Sequence, residues 1–218
     1  KLIEGYPDFS TKTILNHQAK SVLTQSYVSY KNTAYNKLKI VAGLHFTHFN
    51  LNQQSVLEPR LGIDYTVSRR TSIAFASGLH STTESPEAYL FLDEAGDVQT
   101  RNLKMSRSWQ TVLSFKRKLS EKLFLTAEVY GQYLFDVPIA ADSSIFSLLT
   151  VVVSFTDIAL VDVGKGLNYG LDLTLEKSFA NSYYFLTTVS LFQSEYKLME
   201  RFYRKSKYSN SYVINVLG

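Results

Sequence analysis

In the stretch Leu57-Glu58-Pro59-Arg60-Leu61-Gly62-Ile63-Asp64-Tyr65-Thr66-Val67, the apolar side chains of Leu57, Leu61, Ile63, Tyr65 and Val67 alternate with Glu58, Arg60, Gly62, Asp64 and Thr66. Successive side chains of a β-strand point to opposite faces, so a period of two predicts a strand with one apolar and one polar face. The pattern recurs on either side. In 37–48, Leu38, Ile40, Ala42, Leu44 and Phe46 alternate with Lys37, Lys39, Gly43, His45 and Thr47. In 122–135, Leu123, Leu125, Ala127, Val129, Tyr133 and Phe135 stand against Lys122, Thr126, Glu128 and Gln132. In 168–176, Tyr169, Leu171, Leu173 and Leu175 stand against Asn168, Gly170, Asp172, Thr174 and Glu176. Less regular segments rich in Tyr, Phe, Val and Thr lie at about 21–31, 71–80, 107–118, 183–196 and from 210 to the end. The expectation is nine strands and almost no helix.

The links between these strands alternate in length. Short ones fall at 32–36, 68–70, 119–121 and 179–182, and longer ones at 50–56, 81–106, 136–167 and 197–209. In an antiparallel meander successive turns lie at opposite ends of the sheet, so one end gathers tight turns and the other long loops, as in outer-membrane barrels. Strands of roughly ten to fourteen residues exceed the five or six usual in globular sheets and match a tilted membrane crossing. Aromatic residues form two bands, as at the two bilayer interfaces. Tyr30, Tyr35, Tyr65, Phe115, Phe179 and Tyr183 lie toward the short turns, and Phe46, Phe49, Trp109, Tyr133, Phe135, Tyr169, Phe192 and Tyr196 toward the long loops. The fold class expected is all-β, an antiparallel up-and-down transmembrane β-barrel segment, with a soluble amphipathic sheet as the alternative.

Composition bounds the function. The 218 residues include 15 Tyr, 14 Phe and 1 Trp, no Cys, and carry a formal charge of +4. No window approaches about 18 consecutive apolar residues, which excludes a transmembrane helix. The mean hydropathy of −0.08 does not conflict with a membrane barrel, whose strands average lipid-facing and water-facing residues. Absence of cysteine excludes disulfides and thiolate-held metals. The scattered Lys and Arg give no nucleic-acid stripe.

The run Leu57-Glu58-Pro59-Arg60-Leu61-Gly62-Ile63-Asp64-Tyr65 resembles a strand common in the barrels of TonB-dependent outer-membrane receptors, in particular the Bacteroidetes type. Ala76-Ser77-Gly78-Leu79-His80-Ser81, Gln132 to Pro138, Asn168 to Lys177, and Tyr183 to Phe192 are similar to further strands of that family. The resemblance runs from about residue 25 to the end. It implies a barrel of about 22 strands, an N-terminal plug domain of the same parent protein, and contact with TonB through that plug. Neither plug nor TonB-box is visible in residues 1–218, the opening Lys1 to Pro7 does not have the pattern of a secretory leader, and the last residues are Val216-Leu217-Gly218 where the family carries a terminal aromatic. The expectation is one partial barrel domain, cut at both ends, in the cell outer membrane, forming part of the wall of an importer of a scarce ligand. A passive porin-like barrel and a soluble β-sheet binding protein are the alternatives.

Candidate site residues follow from the polar faces. Glu58, Arg60, Asp64, Glu128, Asp172 and Glu176, with Lys37 and Lys39, would be costly against lipid and are predicted to line the lumen. The simpler reading pairs them with one another and with the plug, and the sharper one makes them a polar track for a ligand. In the 197–209 link, Arg201, Arg204, Lys205 and Lys207 alternate with Phe202, Tyr203 and Tyr208. These could meet lipopolysaccharide phosphates or an anionic ligand, or form a solvated loop. His45 and His48 fall on opposite faces of one strand and cannot share a metal there. Asp93, Glu94 and Asp97 lack the spacing of a calcium loop and are expected to be a solvated acidic stretch. No nucleophile elbow, zinc-helix or phosphate-loop motif occurs, so no catalytic, cofactor or metal residue is expected.

Overall fold

The computed structural model describes residues 2–5, 11–15, 20–35, 37–90, 102–141, 147, 159–180, 182–199 and 202–218. Strands β1 (Leu2–Gly5) and β2 (Thr11–Leu15) pair antiparallel, in a stretch where alternation predicts no strand. A second, ten-stranded antiparallel sheet contains β3 (Leu23–Tyr35), β4 (Leu38–Phe49), β5 (Gln54–Ser68), β6 (Thr71–Thr82), β7 (Ser106–Ser120), β8 (Leu123–Ala140), β9 (Leu160–Ala180) and β10 (Tyr183–Lys197). Each pairs with its neighbour in the chain. The far side of β10 is shared by the two-residue β11 (Arg204–Lys205) and by β12 (Ser211–Leu217). Among the described residues β3 pairs only with β4 and β12 only with β10, so each leaves one edge open. The nine predicted strands are therefore β3 to β10 and β12.

At one end of the sheet the strands are joined by four two-residue links, 36–37, 69–70, 121–122 and 181–182. At the last of these Ser182 adopts φ 70°, and the Lys177 ammonium donates to the carbonyls of Ala180 and Tyr183 at 2.8 and 3.0 Å. The opposite end carries 50–53, 83–105, 141–159 and 198–210. The alternation of short and long links holds, with two corrections. The expected long link at 50–56 is four residues, because Gln54 pairs with Phe49 and Val56 with Thr47. The expected link at 136–167 shrinks to 141–159. Asp136-Val137-Pro138 has the composition of a turn, yet the strand passes through it on two register shifts, with Asp136 at φ 55°. Gly164 makes the pairing possible: a Cβ there would lie 2.5 Å from Ile139 Cγ2 and 2.7 Å from the Val137 carbonyl oxygen.

The register sorts the side chains. Lys39, Asp64, Ala74, Ser114, Glu128, Asp172 and Ser190 lie side by side across seven strands on one face. One residue along, Ile40, Ile63, Phe75, Leu113, Val129, Leu171, Leu191 and Tyr212 form the corresponding row on the other face. The next row on that face, Leu38, Tyr65, Ile73, Phe115, Ala127, Leu173, Val189 and Ile214, is equally free of charge. Much of this apolar face is open, with Val129 56% and Leu113 50% exposed. Leu44, Ile63, Leu125 and Leu173, from the apolar sides of the four alternating segments, all belong to it.

Buried apolar side chains collect instead over the polar face, at the long-link end. Phe49 and Val56 pack with Tyr89, Leu103, Met105 and Leu160, and the Phe49 and Tyr89 rings meet edge-on at 5.2 Å. The described parts of the 83–105 link thus fold onto the sheet, with their apolar side chains over its polar face. Asp93, Glu94 and Asp97 lie outside the described residues. The aromatic band near the long links needs the same correction. Phe46, Trp109, Tyr133 and Tyr169 are on the apolar face, but Phe49, Phe192 and Tyr196 share the polar face, because strand parity and not position along the strand decides it.

Candidate functional site

All six candidate lumen residues, Glu58, Arg60, Asp64, Glu128, Asp172 and Glu176, stand on the polar face, in strands β5, β8 and β9. Four of them form two groups. Near the long-link end, Glu58 is 1% exposed and both its oxygens are occupied. Oε2 accepts from Arg60 Nη2 at 2.7 Å and from His45 Nδ1 at 2.9 Å. Oε1 accepts from the Ser81 amide at 3.1 Å, the Ser81 hydroxyl, and Thr47 Oγ1 at 3.3 Å. Taking a carboxylate out of water is costly unless its lone pairs find donors, and five donors from three strands meet that need. The sequence signal for this cluster was the cross-strand pair His45 and Glu58, which needs the register to be seen.

Arg60 lies between Gly43 and Gly78, its partners on the flanking strands. A Cβ on Gly78 would stand 3.0 Å from Arg60 Cγ, so the glycine leaves room for the arginine stem. Beside it the polar face is dented by a depression of about 580 Å³, floored by Gly43, Gly62, Ala76 and Gly78 and bordered by Arg60, His45, His80 and Gln110.

Halfway toward the short turns, Glu128 and Asp172 stand directly opposite one another. Among the described residues neither forms an ion pair, and Asp172 Oδ1 and Ser114 Oγ are buried without a hydrogen-bond partner. Tyr130 crosses Gly170 in the adjacent row, its hydroxyl 2.6 Å from where a Cβ on that glycine would be. Asp64 and Glu176 are placed on the same face but are not brought into either group. Lys39 is opposite Asp64 without forming an ion pair.

Outside the strands, the folded link is held by polar contacts. Asn52 Nδ2 donates to the Leu103 carbonyl at 2.6 Å, and the Met105 amide donates to Gln54 Oε1. The Ser106 hydroxyl donates to Glu84, and the Glu84 amide donates to the Tyr89 oxygen at 3.2 Å. Burial pushes the Glu84 carboxyl above its ordinary value and the Tyr89 phenol up to about 12. At the opposite end, the hydrogen bond from Lys118 holds the Glu121 carboxyl below its ordinary value. In the 198–210 link, Arg204 and Lys205 pair through β11 with Tyr196 and Glu195. Arg204 lies 5.1 Å from the Phe202 ring centre and Lys207 5.0 Å from that of Tyr208. Arg201 is outside the described residues. Among the described residues no group of three or more His, Asp or Glu side chains is placed to hold a metal ion.

No family model and no curated protein matches the sequence. Solved structures do. The chain is similar to the FrpB iron transporter from Neisseria meningitidis, F3-3 variant, at 15% identity and a TM-score of 0.59, over 81% of this chain and 26% of that one. The apoprotein form of the F5-1 variant gives 14%, 0.60, 81% and 26%. The outer membrane transporter YddB from Escherichia coli gives 10%, 0.60, 80% and 25%. The chain thus spans about a quarter of the length of these transporters. The fold is that of an antiparallel up-and-down segment of an outer-membrane β-barrel.

Proposed function

We propose that the chain is a length of the barrel wall of a TonB-dependent receptor in the cell outer membrane, which imports a scarce ligand. The carrying observation is the register: seven consecutive pairings leave uncharged rows on one face and carboxylates, amides and hydroxyls on the other. Such a sheet suits lipid on one side and a hydrated passage on the other. In this reading the apolar face meets lipid, and Glu58, Arg60, Asp64, Glu128, Asp172 and Glu176 line the lumen. The two-residue turns face the periplasm. Arg201, Arg204, Lys205 and Lys207 are presented outside, to lipopolysaccharide or ligand. The mechanism follows from the family resemblance: loops and plug capture the ligand, and TonB displaces the plug. No residue of the chain performs covalent chemistry, and no cofactor is required.

The inward fold of the described parts of the 83–105 link favours one second reading, a passive porin-like barrel narrowed by its own loop. A plug of roughly domain size encoded upstream separates the two.

The direct test is the isolated chain. The free edges of β3 and β12 carry unpaired backbone groups that cost several kcal/mol apiece in lipid, and the apolar face favours association in water. Refolded in plain buffer, the 218 residues should sediment as aggregates or oligomers unless detergent is present. A cooperative, soluble, monodisperse monomer would contradict the reading and favour a binding protein built on a soluble β-sheet.

A further inference from the structure

Both oxygens of Glu58 are consumed within the wall, by Arg60, His45, Thr47 and Ser81. The depression beside it therefore meets little acceptor capacity from this carboxylate. It meets donors. Arg60 has committed only Nη2 to Glu58, and a guanidinium has five N–H groups in all. Its side chain remains 45% exposed. His80 has no hydrogen-bond partner among the described residues, and the Gln110 amide stands on the neighbouring strand. Below these groups the floor is built from Gly43, Gly62, Ala76 and Gly78, with Val41 and Val112 at its sides. An apolar floor with a few convergent polar groups on one rim is the usual form of a small-molecule site.

We infer that this depression binds a small organic anion, its apolar body on the glycine and alanine floor and its carboxylate or sulfonate on the Arg60 guanidinium. Glu58 acts as a positioning residue. It is buried, fixed from three strands, and holds Arg60 extended along the wall between Gly43 and Gly78. A planar, fixed guanidinium can take an oxyanion through two parallel N–H bonds, which a mobile lysine cannot match. The inference rests on the wall reading, since only there does this face border a passage.

The test uses the intact parent protein in detergent micelles and two probes, 2-naphthoate and its uncharged amide 2-naphthamide, titrated by calorimetry against a micelle blank. Naphthoate should bind saturably, and Arg60→Gln should weaken it by roughly ten to a hundredfold, the loss of the charge-assisted contact. Naphthamide binding should be unchanged by Arg60→Gln, Arg60→Lys should fall between, and Ala76→Phe, which fills the floor, should abolish binding of both probes. Binding of naphthoate that is absent, or indifferent to Arg60→Gln while the variant stays folded, overturns the inference. Quenching of a fluorophore on Leu44→Cys by brominated detergent, read in the same preparation, reports on the wall reading separately. If that quenching is missing, the wall reading has failed; if it is present without naphthoate binding, only the site has.

Discussion

Arg107 Nε donates to Asp136 Oδ2 at 2.6 Å, although the residue opposite Arg107 in the β7–β8 register is Phe135. The offset exists because Asp136 sits at a register shift with φ 55°. Lys104 joins the same carboxylate at 3.9 Å and reaches Asp162 at 3.5 Å, so a chain of charges ties the 83–105 link to the extended ends of β8 and β9. Asp136→Ala removes both the acceptor and a residue type that tolerates this backbone. It should cost about 1–3 kcal/mol, and Asp136→Asn, which keeps the backbone tolerance, should cost less. Hydrogen exchange at 137–140 and 160–164 should accelerate in that order.

Gly170 is the second backbone-limited position. A Cβ there would stand 2.6 Å from the Leu191 carbonyl oxygen and 2.6 Å from the Tyr130 hydroxyl. The phenol can move, but the carbonyl belongs to the β9–β10 ladder. Gly170→Ala should therefore destabilise by about 1–3 kcal/mol, and adding Tyr130→Phe should restore only part of it. Equilibrium unfolding of the intact protein in lipid vesicles gives both values.

The fold was legible because alternation needs only short-range information. Leu57 to Val67 show two faces by themselves, and the paired rows of the ten-stranded sheet place Leu57 to Thr66 where parity predicts. What could not be read depended on register. The Glu58 cluster joins β4, β5 and β6 through residues up to 23 positions apart, and nothing near Glu58 in sequence announces His45 or Ser81. The inward packing of the described parts of the 83–105 link was hidden because Tyr89, Leu103 and Met105 show no period. The extension of β8 past Asp136-Val137-Pro138 was hidden because bulges allow turn-forming residues inside a strand.

The docking of the 83–105 link should depend on pH at both extremes. Tyr89 ionises at about 12 in the fold against 10.0 when free. A raised folded value means that its contribution is complete below pH 10.0 and is lost as pH climbs through about 12. Glu84 is raised for the same reason, so its contribution is complete below its ordinary value of 4.5 and is lost as pH rises through its folded value. The link should be held more firmly in acid than at neutral pH, and should loosen again above pH 10.0. Hydrogen exchange of residues 84–90 across pH tests this, corrected for the intrinsic rate. Glu84→Gln should remove the acid-side dependence and Tyr89→Phe the alkaline one.

Charge placed on the apolar face should be penalised by depth. Arg at Ile63 or Leu125 should cost about 2–4 kcal/mol if these side chains lie near the bilayer midplane. Arg at Thr66, on the polar face, should cost far less. Refolding titrations into vesicles measure the three variants under one condition, and equal penalties would mean that the faces are misassigned.

The assignment of one face to lipid and the other to water is tested most directly at Ile63 and Asp64, adjacent residues paired with Phe75 and Ala74 on opposite faces of the sheet. Single cysteines at these positions, in the intact protein in native outer membranes, are exposed to a charged, membrane-impermeant thiol reagent and, separately, to a lipid-borne quencher after labelling. The account predicts that Asp64→Cys reacts with the charged reagent and escapes the quencher, while Ile63→Cys resists the reagent and is quenched. Equal reaction of both with the impermeant reagent, with no quenching at Ile63→Cys, would contradict it.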